Sequence, residues 1–117
     1  MGLPWVRLDS GWPTNTKTLA LVADRHYQAA AAYTFALAWC GHQGTDGYVP
    51  LSALPVIHAT RKVAEQLVDV GLFDLAQGGW QIHDWATYQV SSEEHQKRSA
   101  RARELAMRRW KPEAMEG

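Results

Sequence analysis

The chain has 117 residues, with 12 Lys+Arg, 12 Asp+Glu and five His; 46% of residues are hydrophobic and 21% charged. That length supports one domain with a tail rather than two cores, and the composition excludes a disordered chain. No run approaches the roughly 20 apolar residues of a membrane helix and no apolar signal segment opens the chain, so a soluble, cytoplasmic protein without membrane contact is expected.

Trp5-Val6-Arg7-Leu8 alternates apolar and polar residues and predicts a short strand or extended arm, broken by Gly11-Trp12-Pro13. Thr14 or Asn15 can cap a helix through about Ala23, because a short side-chain oxygen satisfies free N–H groups at a helix start. Leu19, Val22 and Ala23 share its inner face, with Lys17 pointing out. Tyr27 to Trp39 contains four consecutive alanines and no Gly or Pro, and Tyr27, Ala31, Thr34/Phe35 and Ala38 follow helical spacing. This helix should stop by Gly41–Gly44, and its alanines allow close approach of a neighbour.

Thr45-Asp46-Gly47 predicts a turn and Tyr48-Val49-Pro50 a short edge strand. Leu51-Ser52-Ala53-Leu54 opens a second helical block, with Pro55 tolerated only in a first turn. Thr60 caps a helix from Arg61 to Val70 that turns Val63, Leu67 and Val70 inward and Arg61, Lys62, Glu65, Gln66 and Asp69 outward. Gly71 ends it in the position that favours positive φ. Leu72–Leu75 and Trp80–His83 are strand-like runs around the loop Ala76-Gln77-Gly78-Gly79. Ser91 or Ser92 then caps a long helix to about Trp110, which Pro112 stops.

The fold class expected is mainly α with a small β-hairpin: a winged helix-turn-helix domain over residues 1–90, and a long basic helix and tail over 91–117. The charge follows this division. Residues 1–90 hold five basic and seven acidic residues, whereas Lys97 to Lys111 holds seven basic residues and one acidic one, Glu104. Such a split suggests a polyanion-seeking tail on a nearly neutral body.

Several stretches resemble the N-terminal winged-helix domain of replication-initiation or replisome-organiser-like proteins of actinobacterial phages. The resemblance is carried by Trp5-Val6-Arg7-Leu8-Asp9, Lys17, Thr45-Asp46-Gly47-Tyr48-Val49-Pro50, Val70-Gly71-Leu72-Phe73, Gly79-Trp80-Gln81-Ile82-His83-Asp84-Trp85, and Tyr88-Gln89 before the arginine-rich helix. It implies a DNA-binding domain for origin-like or operator-like sites, working in the bacterial host cytoplasm. Family members often continue into a linker and a second module, while this sequence ends at Gly117. The expectation is therefore a stand-alone DNA-binding or regulatory protein.

A winged helix reads duplex DNA by laying one helix in the major groove. Arg61 and Lys62 stand at the start of the candidate recognition helix, and Gln66 one turn later suits adenine. Glu65 and Asp69 on the same face oppose phosphate contact. Lys97, Arg98, Arg101, Arg103, Arg108, Arg109 and Lys111 can track phosphates without reading sequence. The wing carries no Arg or Lys, so it touches the DNA backbone through Gln77 or nothing. The alternative is a small protein–protein interaction module, such as a phage-encoded inhibitor of a host factor. It would use Trp110 and the last helix for docking, or pair those helices into a homodimer.

The six tryptophans raise the prospect of stacking on single-stranded nucleic acid, but Trp39, Trp80 and Trp85 suit core packing, and Trp5 and Trp12 suit an arm that covers the core. Cys40, the one cysteine, excludes an intrachain disulfide, and its spacing from His42 fits no metal pattern, so neither a metal nor another cofactor is expected. For His83, in the Ile82-His83-Asp84-Trp85 run, the resemblance implies a structural role rather than a catalytic one. No phosphate loop, nucleophile elbow or HExxH helix occurs, and an enzyme is not expected.

Overall fold

Asn15 starts the first helix: its Oδ1 accepts the Lys17 amide at 2.9 Å, and α1 spans Thr16–Ala23. The computed structural model describes residues 2–89 and 92–116, with side chains for 2–89 and 93–108. The inward face of α1 differs from the expected one. Thr18 and Leu21, one turn apart, are buried, while Leu19 and Val22 are exposed. Lys17 does not point out either; its Nζ donates to the Gly71 carbonyl at 2.9 Å. That carbonyl lies just past the end of α3, where the helix dipole favours a cation.

The central helix α2 spans Tyr27–Gln43 and ends at Gly44, whose φ of 73° and N–H bond to the Cys40 carbonyl close the last turn. Ala29, Ala32 and Ala36 are fully buried with Leu37 and Cys40. The row that revealed the helical period faces outward, with Tyr27 60% and Phe35 44% exposed. Small residues thus mark the inner side, because α1 and α3 pack closely against it. Gly41, inside the last turn of α2, lies against Val6, leaving no room for a side chain.

β1 (Tyr48–Pro50) pairs antiparallel with β3 (Gly79–Ile82), which pairs with β2 (Phe73–Ala76), giving the order β1-β3-β2. Pro50 is tolerated because β1 is an edge strand. Val49 and Leu75 both stand opposite Trp80. The hairpin turn is Gln77-Gly78, one residue displaced from the expected strand ends, and Tyr48 Oη donates to the Gln77 carbonyl at 2.7 Å.

The expected helical block after β1 is instead a 3₁₀ turn at Leu51–Ala53 followed by irregular turns to His58, which has φ 57°. Pro55 has no N–H to bond the Leu51 carbonyl, so an α-helix cannot propagate through it. Leu54 bonds that carbonyl in its place, and the segment still buries Ala53, Leu54 and Ile57.

α3 spans Arg61–Asp69, with Thr60 Oγ1 accepting the Val63 amide at 3.2 Å. Val63, Ala64 and Leu67 are buried. Gly71, at φ 82°, lets the Leu72 amide turn back to the Leu67 carbonyl at 2.9 Å, a glycine-type helix stop.

A short helix α4 (Trp85–Tyr88) follows β3, entered through Asp84 at φ 56°. It brings Gln89 under the N-terminal arm. The arm is extended but forms no strand: Gln89 Oε1 accepts the Arg7 amide at 2.9 Å and Gln89 Nε2 donates to the Arg7 carbonyl at 2.7 Å. One side chain therefore replaces a strand partner. The Leu3 amide bonds the Gly41 carbonyl at 2.7 Å, and Leu3 is buried. Trp12 is half-buried on Tyr33, whereas Trp5 is 65% exposed and does not cover the core as expected. The arm is anchored through Leu3, Val6 and the Arg7 backbone instead.

α5 spans Ser92–Glu116 and continues through Pro112, which was expected to stop it. A proline inside a helix forfeits one backbone bond; the carbonyl so freed belongs to the exposed residue Arg108, open to water. The cap position at residue 91 lies outside the described residues. With α5, the molecule is 67 Å long.

Candidate nucleic-acid interface

Arg61, Lys62, Glu65 and Asp69 are exposed on one face of α3, and Gln66 is half-buried beside them. Burial of Val63, Ala64 and Leu67 against α2 and the sheet orients this face outward. The charge order along α3 runs against its dipole. Cations occupy the first turn, where N–H groups already present positive potential, and Asp69 occupies the last. Each such placement costs a few tenths of a kcal/mol in an isolated helix, so the helix's own stability does not account for Arg61 and Lys62. Beside α3 the hairpin presents Leu75, 79% exposed, and Gln77, with no cation from Phe73 to Ile82.

On α5, Lys97, Arg98, Arg101, Arg103 and Arg108 are all exposed. Lys97 pairs with Glu93 at 3.1 Å and Arg108 with Glu104 at 3.8 Å, both one turn apart. Such exposed pairs contribute little and yield readily to a polyanion. Arg98, Arg101 and Arg103 have no ion pair among the described residues. The side chains of Arg109, Trp110 and Lys111 fall outside the described ones. α5 meets the body at the arm, where His95 and Arg98 share a notch of about 100 Å³ with Trp5 and Arg7. Arg61 and Lys62 are thus brought together on one turn, while the α5 cations form a separate group.

Beneath the arm, reaching the C-terminal end of α3, lies a cleft of about 590 Å³ between the arm, the start of α1, α4 and α2. None of its residues is among the binding residues expected from sequence. Trp12 stacks on Tyr33 there with ring centroids 4.8 Å apart, and Lys17, Arg7 and Tyr88 also line it. Burial, together with the neighbouring Tyr88, raises the Tyr33 hydroxyl pKa. At the rim, His83 bridges Asp74 (Nδ1 to Oδ2, 2.9 Å) and Asp84 (Nε2 to Oδ2, 3.4 Å), linking β2 to the entry of α4. The one signal in the sequence was Trp12 set among the charged residues Arg7, Asp9 and Lys17, distant from Tyr88.

Cys40 is fully buried with Sγ 3.5 Å from the Tyr48 carbonyl, and burial pushes its thiol up to about 11. Among the described residues, no cluster of His, Cys, Asp or Glu has the geometry to hold a metal, and no helix is long and apolar enough to cross a membrane. Comparison with family models, with curated proteins and with solved structures yields no match to this chain.

Proposed function

We propose that this protein binds double-stranded DNA through α3 as a winged helix-turn-helix recognition element, in a phage- or prophage-type role in replication initiation or transcriptional regulation. The bacterial cytoplasm is its expected compartment. The observation that carries the reading is the pair Arg61 and Lys62, exposed on the first turn of α3 against the helix's own dipole. The pairing of β1 beside the β2–β3 hairpin and the position of α3 immediately before that hairpin support the winged arrangement. Glu65 and Asp69 weaken contact further along α3, so Arg61 and Lys62 on the first turn, with Gln66 one turn later, meet base edges or nearby phosphates. The α5 cations add affinity without sequence preference.

Selection from random duplex DNA, followed by titration of the enriched site, tests the proposal. Arg61→Ala with Lys62→Ala weakens binding to the enriched site more than to random duplex. An unenriched pool, or equal losses on both duplexes, refutes sequence reading by α3. If Arg61, Lys62, Arg98, Arg101 and Arg103 each neutralise one phosphate, log K falls against log salt with a slope of about −4.5. A second reading, a protein-docking or homodimerising α5, is favoured by Leu105 and Met107, 53% and 61% exposed on that helix. It predicts a nearly flat salt response.

A further inference from the structure

The cleft beneath the arm has a combination of groups that DNA contact by α3 does not use. Its volume, about 590 Å³, falls among the roughly 300–1,000 Å³ sites that hold small molecules. Trp12, with Tyr33 stacked on it, and Tyr88, 56% exposed, supply aromatic surface. Lys17 Nζ gives one donor to the Gly71 carbonyl at 2.9 Å, and Arg7 Nη1 gives one to the Tyr88 carbonyl at 3.3 Å. Both cations retain further donors. Acceptors are present as well: Asp9 Oδ1 holds the Gly11 amide at 2.7 Å, and Asp84 stands beside His83.

Aromatic faces, spare cationic donors and carboxylates in one cleft define the ligand chemistry. A simple inorganic anion would leave the aromatic surface unused, and an apolar ring would leave the charges unmet. A ring that carries N–H donors at one end and an anionic group at the other meets all three. We infer that the cleft binds a nucleotide, either free or as one unit of single-stranded nucleic acid. Its base stacks on the open ring of Tyr88, beside the Trp12–Tyr33 pair, its phosphate meets Arg7 and Lys17, and Asp84 or Asp9 accepts from the base amine. The site contains no residue of α3 or α5, so it does not depend on duplex binding.

Titration of the isotope-labelled full chain, followed by NMR, tests this with guanosine monophosphate, guanosine, inorganic phosphate and a short single-stranded oligonucleotide. The monophosphate should give saturable shifts at the Trp12 indole N–H, Lys17 and Tyr88. Guanosine and phosphate alone should bind at least about tenfold more weakly, each lacking one end of the ligand. Tyr88→Ala removes an exposed ring and lowers affinity roughly tenfold, while Tyr88→Phe retains it. Arg7→Met weakens the monophosphate and leaves guanosine unchanged. Arg61→Ala with Lys62→Ala leaves nucleotide binding intact, which separates this site from the duplex reading. Tighter binding of the oligonucleotide identifies single strands as the source, and tighter binding of the monophosphate identifies the free nucleotide. Absence of saturation, shifts confined to α3 or α5, or equal affinity of Tyr88→Ala and the parent would overturn the inference.

Discussion

Gln89→Ala should detach the N-terminal arm without unfolding the domain. Gln89 is 7% exposed, and its amide makes two hydrogen bonds to the Arg7 backbone, at 2.9 and 2.7 Å. A typical intramolecular hydrogen bond contributes a net 0.5–1.5 kcal/mol, so the pair stabilises the arm by about 1–3 kcal/mol. Arg7 is exposed, and water can reach its backbone once the amide is gone; the lower half of that range, about 1–2 kcal/mol, is the expected loss. For a domain of this size that lowers Tm by roughly 3–8 °C. Amide exchange reads the local event directly. The Arg7 N–H loses protection in the variant, while the amide of Leu67, a fully buried residue of α3, keeps its own. Unchanged exchange at Arg7 together with an unchanged Tm would refute the role given to Gln89, since the arm would then be held by Leu3 and Val6 alone.

Two glycines separate space from backbone conformation. In Gly79→Ala the new Cβ collides with the Val49 carbonyl and forces β1 from β3, whereas in Gly71→Ala it meets only the end of Lys17. Chemical denaturation should show a loss of several kcal/mol for the first and about 1 kcal/mol, from the positive φ alone, for the second. Cys40 supplies a pH test. Burial raises its thiol from 9.0 to about 11, so the folded chain holds this proton more tightly than the unfolded one. The contribution is complete below about pH 9 and is lost as pH rises towards 11. Stability of the parent should therefore fall over that window more than that of Cys40→Ala, and an aromatic disulfide reagent at neutral pH should label Cys40 only after unfolding. Rapid labelling of the native chain would contradict the burial.

Most helix ends and turns were readable because the deciding groups are neighbours in the chain, although Pro112 did not stop α5 and no α-helix formed at Leu51 before Pro55. Asn15 and Thr60 cap α1 and α3, Gly44 and Gly71 end α2 and α3, and Pro50 marks an edge strand. Orientation was less readable. The periodic row Tyr27-Ala31-Phe35-Ala38 identified α2 but faces outward, because alanine on the other side allows α1 and α3 to approach. Lys17 reads as a solvent charge until the end of α3 is brought to it, 54 positions away. The candidate site divides in the same manner. The cations of α3 and α5 were legible as local clusters, while the cleft was not, since Arg7 and Tyr88 are 81 positions apart and meet only when Gln89 fastens the arm.

By itself the sequence determined a helix-rich chain with a small hairpin, the beginning and end of α1, α2 and α3, and the concentration of positive charge after residue 96. Those properties arise from propensity, capping, turn chemistry and composition, which act within a few residues. Tertiary structure decided which helix faces are inside, the register in which β1 pairs with β3, and that the arm completes a cleft. These depend on close packing and on hydrogen bonds between distant segments, whose partners are not specified by local sequence.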